Sequence, residues 1–558
     1  MKKKSKLISL AALALMLSGC TTNPSTGEVI SSSPTTSDIS DSTGTSDSST
    51  GEGIKEDHVQ AKKTTTGNLN AKGKFYADYL SLADEQEDAK DCVIAIAEEG
   101  DVLLKNENNA LPLTSEEKSV TLLGMHTVNL VTAGGGSGSG TTGNNNIEYS
   151  TLEKAFQHAG YKVNPATINL YDKYTSLGII NNELPLNYYT PSVISSYHAY
   201  SGAAVLTFSR FGTENSDLKT HDVEDHANKD DHILMLDDNE KALVRHAKQY
   251  FDKVIVLINS SNIMEIPDLA QEKRDDNLGV DAILWVGGVG NNGTEAIGRI
   301  LDGSVNPSGH TSDIWTKDFK KDPSWTNFAY NSQNYDESHN RMNAMLYDKD
   351  GKVTNFAQVE YREGIYSGYK FYETKAADLG GNNGETWYRD NVLYPFGYGL
   401  SYTTFDWEWS GVKLEDSIDS GNQTITAKVK VTNTGAVAGK DVVQLYYSAP
   451  YIKGGIEKAS TNLVNFAKTR LLKPGESDVV TIQFVAQDMA SYDYNDANKN
   501  NFKGYELEAG NYTITANRDS HTPVLAFTRK VNTALQLRKD YLTGNDVNNI
   551  FSNDDMYK

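Results

Sequence analysis

Between Asp88 and Phe319, four short apolar runs alternate with stretches of helical periodicity. The runs are Ser119–Gly124, Ala203–Ser209, Lys253–Asn259 and Ala282–Val286. Short runs with little polar alternation suit strands covered on both faces. The intervening Thr151–His158, Asn239–Phe251 and Gly293–Leu301 read as amphipathic helices. Together they predict an α/β fold, a layered α/β sandwich with a mostly parallel sheet, which presents ligands at the carboxyl ends of its strands. From about Phe405 the pattern changes. Ala427–Thr432 alternates and turns at Asn433-Thr434-Gly435, and Val442–Tyr447, Asp478–Phe484 and Asn511–Ala516 follow, with a second turn at Lys473–Glu476. Short strands punctuated by turns predict a β-sandwich over 405–531.

The N-terminus is of another kind. Lys2, Lys3, Lys4 and Lys6 precede an apolar run from Leu7 to Leu17, the layout of a secretory signal and too short for a membrane span. The run ends Leu17-Ser18-Gly19-Cys20, which resembles a bacterial lipobox. Residues 1–20 are therefore expected to be a lipoprotein signal peptide whose Cys20 is acylated. That places the protein outside the cytoplasm, lipid-anchored to the bacterial cell membrane. The alternative is a plain signal peptide with a chance cysteine. Residues 21–67 are rich in Ser, Thr, Gly and Asp and read as a disordered tether. Asn68–Leu82 reads as a lead-in helix. The other cysteine, Cys92, lies in Cys92-Val93-Ile94-Ala95-Ile96 and reads as a small buried hydrophobe, so no disulfide framework is available. A net charge of −22 argues against nucleic acid or an anionic membrane surface as partner.

Three segments carry wording that secondary structure does not demand. Gly134–Gly140 is a glycine-rich loop after a strand, but it has neither the Gly-Lys-Ser/Thr of a P-loop nor a dinucleotide spacing. Thr207–Asp217 follows the Ala203 strand and carries Ser209, Arg210, Glu214 and Asp217. On residues alone Glu214 is one loop carboxylate among several, with Glu224 and Asp225 as rivals. Val359–Glu373 and Tyr394–Phe405 are dense in Tyr, Phe and Gly, residues that sugar-binding loops favour because aromatic faces stack on pyranose CH groups. His221, His226 and His232 lie in a polar stretch and read as solvated. No cofactor is expected, and no cluster has metal-ligand spacing.

VEYREGIYSGYKFYE and YPFGYGLSYTTF closely resemble the second domain of glycoside hydrolase family 3, the β-glucosidase-like enzymes. GDVLLKNENNALPL over Gly100–Leu113 and the Gly303–Gly309 run are similar to the same domain, and VTNTGAVAGKDVVQLY resembles the fibronectin type III-like (immunoglobulin-like) domain that follows it. The resemblance implies an α/β sandwich domain over 68–404, a fibronectin type III-like sandwich over 405–531 and a linker over 532–558. It implies a glycosidase hydrolysing β-linked oligosaccharides or aryl glycosides with retention. Glu214 matches the family's general acid/base, and Arg210, Asp217, Gly136 and Ser137 fall on substrate-binding positions. Gly212, Thr213 and Asn215 depart from the family's S-R-x-S-G-E-G-x-D wording. The family's nucleophile is an aspartate on a (β/α)8 barrel, usually within Ser-Asp-Trp, and that string does not occur. A barrel needs about 200 residues or more, and no unassigned block of that size remains. HTSDIWTKDFKKDPSWTNF looks like the permuted subgroup in which the barrel comes last. The chain is thus expected to be the non-barrel part of such an enzyme, inactive alone, with a barrel in cis or in trans. The competing reading is a non-catalytic, glycan-binding surface lipoprotein.

Overall fold

The computed structural model describes residues 79, 81–134, 150–175, 183–212, 218, 225–270, 278–325, 345–347, 349–350, 353–357, 361, 363–412, 417–540 and 542–547. The first domain opens with helix α1 (Leu82–Gly100), capped by the Ser81 hydroxyl, which accepts from the Asp84 amide. Strands β1 (Val102–Asn106) and β2 (Ser119–Leu123), helix α2 (Leu152–His158), β3 (Lys162–Val163), α3 (Pro165–Thr175) and α4 (Pro191–Ser196) come next. They lead to β4 (Ala203–Arg210), α5 (Asp238–Tyr250), β5 (Val254–Ser260), α6 (Pro267–Ala270), β6 (Ala282–Trp285) and α7 (Thr294–Leu301). The six strands form one sheet in the order β1-β6-β5-β4-β2-β3. All neighbours are parallel except β1, an antiparallel edge on β6.

Burial follows the two-residue period of the strands. Leu206, Phe208, Val256 and Ile258 face one core with Tyr171 of α3, Val193 of α4 and Leu243 of α5. Val205, Ile255, Leu257 and Leu284 face the other with Phe156 of α2 and Ile297 and Ile300 of α7. Helices on both faces explain why the strand sequences lack polar alternation. The domain continues through β7 (Trp315–Thr316), the hairpin β8 (Met345–Tyr347) and β9 (Val353–Ala357), helices α8 (Tyr369–Leu379) and α9 (Gly381–Asn391), and β10 (Val392–Tyr394), which pairs with β7.

From Phe405 the chain builds two packed sheets. A three-stranded antiparallel sheet places Thr424–Asn433 between Phe405–Val412 and Ser477–Val485. A five-stranded sheet orders Ser417–Ile418, Pro523–Val531, Gly510–Asn517, Val442–Ser448 and Asn462–Lys468. Val429, Val431, Leu445, Ile482 and Ile514 close the core between them. A small side sheet brings Leu535–Leu537 against Gly504–Leu507, so three residues of the segment expected to be linker are tied to the sandwich.

The expected lead-in helix over Asn68–Leu82 lies almost wholly outside the described residues, and the described helix begins at Leu82. One further expectation changes. Cys92 is half-buried on α1, where Ile94 alone of its neighbours is buried and Ile96 faces solvent. A 3.6-residue period exposes one side of such a run. Among the described residues no helix is long and apolar enough to cross a membrane.

The α/β domain and the sandwich share polar contacts. Lys468 donates to Glu99 Oε2 at 2.6 Å and to Ser308 Oγ at 2.9 Å, and Lys440 pairs with the same Glu99. Gln444 Nε2 donates to the Gly397 carbonyl at 2.9 Å, and Gly397 sits at φ +80 with no room for a side chain. Tyr369 stacks on Phe396 and accepts from the Leu463 amide at 3.0 Å. The aromatic and glycine-rich wording of 366–405 is therefore spent largely on this seam between the domains.

One contact of the seam titrates. His521 lies flat on Tyr388 (3.7 Å between centroids), with Nδ1 3.0 Å from Glu373 and Nε2 3.2 Å from Glu385. Burial alone would lower its pKa, but hydrogen bonds and charge from both glutamates outweigh it and hold the imidazole up to about 9. The folded value exceeds the unfolded one of roughly 6.5. The stabilisation is therefore full below pH ~6.5 and lost as pH rises through about 9. Thermal unfolding should show a falling midpoint between pH 7 and 9.5 that His521→Gln flattens. Equal slopes in the two proteins would contradict the assignment.

Candidate functional site

The carboxyl ends of β2, β4, β5 and β6 converge on one edge of the sheet, and one residue joins two of the loops that leave it to the end of β4. Asn259, at the end of β5 and fully buried, accepts from the Val131 amide at 2.6 Å through Oδ1. Its Nδ2 donates to the carbonyls of Val131 at 2.9 Å and Gly287 at 2.7 Å. Its own carbonyl accepts from Ser209 Oγ at 2.6 Å. The loop after β2 is thereby tied to that after β6 and to the end of β4, and Gly290 N adds a bond to the Thr132 carbonyl at 2.8 Å. These ties fix the segment that enters the glycine-rich loop.

Arg210 closes β4 and is buried. Its terminal nitrogens form a two-pronged pair with Glu240 at 2.7 Å each, and donate also to the carbonyls of Ser209 at 2.7 Å and Met235 at 2.6 Å. Nε donates to the Ile233 carbonyl. A guanidinium has five N–H donors, and all five are engaged by protein. These bonds hold the start of the loop after β4 against α5. Glu240 is the N3 member of a capping box whose Asp237 side chain accepts from the Glu240 amide at 2.6 Å. Burial first, and then the Glu240 charge, push the Asp237 carboxyl up to about 8.

On the β2 side, Glu183 accepts from the amides of Met125 at 3.0 Å and Leu184 at 2.8 Å. Burial outweighs those bonds and lifts its carboxyl to about 8, so it is protonated at neutral pH. Gly124, at φ +100, turns the chain there, and its amide donates to Tyr171 Oη at 2.7 Å. His126 follows with Nδ1 3.3 Å from the Asn129 carbonyl, and burial lowers its pKa, keeping the ring neutral near pH 7. Each described carboxyl of the cluster is thus engaged: Glu240 by Arg210, Asp237 by a helix start and Glu183 by two amides. They shape and hold loops.

Arg210 is the one expected site residue within the described set. Glu214, Asp217, Gly136, Ser137 and Cys20 lie outside the described residues, as do the rival Glu224 and His221. Asp225, the other rival, is exposed at φ +62 and offers its carbonyl to the Asp238 amide at 2.9 Å, the role of a turn before a helix. The expectation of solvated histidines is corrected. His226 and His232 are buried, and His232 is stacked on Phe319, beside Trp325, with Nε2 3.2 Å from Glu265. Partners distant in sequence cover a stretch that is polar only locally. Among the described residues no group of three or more His, Cys, Asp or Glu could hold a metal ion.

Asn259, Glu240 and Glu183 escaped the reading of the sequence as site residues. An Asp-x-x-Glu spacing at 237–240 and a polar residue closing the apolar run at 259 were the available signals.

Comparison with known proteins agrees with this architecture. A glycosyl hydrolase family 3 C-terminal domain model matches residues 101–369, and a fibronectin type III-like domain model matches residues 441–520. The chain is 33% identical over 440 residues to beta-glucosidase A of Butyrivibrio fibrisolvens, covering 74% of this chain and 48% of that protein. It is 32% identical over 434 residues to a beta-glucosidase of Ruminococcus albus, covering 75% and 38%. The structure of beta-glucosidase 3B from Thermotoga neapolitana in complex with alpha-D-glucose superposes with a TM-score of 0.61 at 29% identity, over 82% of this chain and 56% of that one. The chain spans half the length or less of these curated relatives. Among the described residues no closed barrel of strands occurs.

Proposed function

Because this chain carries the C-terminal domain of glycosyl hydrolase family 3 followed by a fibronectin type III-like domain, we propose that it forms the non-barrel part of a retaining β-glycosidase. Its substrates in this reading are β-linked oligosaccharides or aryl glycosides. The match over 101–369 carries the reading, since that span contains all four strand ends and the loops that leave them. Glu214 lies four residues beyond the anchored Arg210 in the sequence. It protonates the glycosidic oxygen and afterwards takes a proton from water. Asp217, Gly136 and Ser137 contact the sugar. The nucleophile comes from a barrel supplied in cis or in trans, and its closure over Glu214, with the nucleophile's charge, raises the Glu214 pKa. The Lys-rich start, apolar run and Leu17–Cys20 ending support an anchor of acyl chains on Cys20, outside the cytoplasm.

The test compares residues 67–558 alone with the same chain joined to, or mixed with, a family barrel, on an aryl β-glucoside. Aglycone release is expected only with the barrel present, and Glu214→Gln should suppress it. Enzyme-like release by residues 67–558 alone would sink the dependence on a barrel. No release from a folded, barrel-bearing protein over a panel of aryl β-glycosides would sink the glycosidase reading. The anchor is tested separately by metabolic labelling with palmitate, which Cys20→Ala should abolish.

A further inference from the structure

A groove of about 650 Å³ runs between α8 and the loop that joins Val442–Ser448 to Asn462–Lys468. None of the elements forming it contributes to the cluster at the strand ends. Ligand sites fall in the range of roughly 300–1,000 Å³. One wall presents Phe371, Lys375 and Asp378, at the i, i+4, i+7 spacing of a single helix face. The other presents Tyr451 and Glu457.

The walls are fixed in place. The Ser460 amide donates to Thr374 Oγ1 at 2.9 Å, and Tyr366 Oη donates to Glu457 Oε2 at 2.5 Å. Buried Lys458 pairs with Glu508 and donates to the Pro450 carbonyl at 3.0 Å, which holds both ends of the loop. Tyr451 is nonetheless 53% exposed, with its hydroxyl 3.3 Å from Glu457 Oε1. Glu457 is thus held by tyrosyl hydroxyls from both walls, and an aromatic ring stands in water beside it.

Lys458 is spent on Glu508 outside the lining, so the charges that face the groove are Lys375 against Asp378 and Glu457. A lining of both signs with an excess of one carboxylate gives no Coulombic gain to an anion. It does suit a neutral polyol, whose hydroxyls donate to carboxylates and accept from ammonium groups while its CH faces stack on an aromatic ring. We propose that this groove is a second binding site of the chain, taking a neutral oligosaccharide of pyranose units and independent of the site at the strand ends.

The experiment is equilibrium binding of cellotetraose and xylotetraose to the full chain, combined with hydroxyl-radical footprinting. At saturating sugar, oxidation of Tyr451 should fall several-fold, while that of Tyr494, 62% exposed on the sandwich, stays constant. Tyr451→Ala should weaken binding at least tenfold. Asp378→Asn, which preserves the helix, should weaken it several-fold. Unchanged labelling of Tyr451, undiminished affinity in both variants, or no binding of either sugar to the folded chain would each overturn the proposal. Hydrolysis of an aryl monoglycoside by the barrel-bearing protein, a substrate too short to need the groove, reports separately on the strand-end reading, so the two can fail independently.

Discussion

Glu240→Gln should lower the folding stability of the α/β domain by about 3–5 kcal/mol, because it strands a buried guanidinium without its charge partner. Arg210 keeps its three bonds to carbonyls in that variant and loses the charge-assisted pair. Arg210→Met should cost a similar amount, by leaving the buried Glu240 carboxylate with the Asp237 amide as its remaining partner and no compensating charge. The double variant Arg210→Met/Glu240→Leu should lose much less than the sum, since no charge then remains unpaired. Urea unfolding of the four proteins measures this, and strictly additive losses would show that the pair is not coupled. Asp237 gives a second readout. Its carboxyl is held up partly by the Glu240 charge, so it should ionise at lower pH in Glu240→Gln.

Asn259→Ala should cost about 1–3 kcal/mol, by leaving the half-buried Val131 amide and two carbonyls without their side-chain partner. Asn259→Asp is the more telling variant. A carboxylate can still accept from the Val131 amide, but it cannot donate to the carbonyls of Val131 and Gly287 and instead repels them. Both changes should loosen the loops after β2 and β6, seen as faster hydrogen exchange at Val131 and Gly290 than at Leu257 within β5. Uniform exchange across those positions would mean that Asn259 does not hold the loops together.

The parallel core of the α/β domain was legible because each of its strands is buried on both faces, so composition and position agree. Ser119–Gly124 and Ala203–Ser209 fall within one residue of the structural limits. β1 was not legible. It is a five-residue antiparallel edge containing Lys105, whose ammonium reaches Glu107 at 3.0 Å, and it reads locally as the tail of a helix. The sandwich strands with strict alternation were legible for the same period-two reason, as the 424–433 burial pattern shows. Asn462–Lys468, with no clean alternation of burial, was not. At the site, Arg210 was identified by wording, and its protein partners were not. Sequence specifies a guanidinium but not its acceptors, and four of its five bonds go to residues 23 to 30 positions away. The tyrosines of 366–398 were open to two readings, because a ring that can stack on sugar can equally stack on Phe396.

Glu99 lies in the last turn of the first helix and receives two lysines from the far side of the seam. Cutting the chain near residue 404 would therefore expose more than an apolar patch. It would leave the Glu99 carboxylate, the Gly397 carbonyl and the buried Glu373 without Lys440, Lys468, Gln444 and His521. Separately expressed halves should accordingly be poorly soluble, and the intact chain should melt in one calorimetric step. Evolutionary shuffling of such a unit has to move both halves as a single cassette.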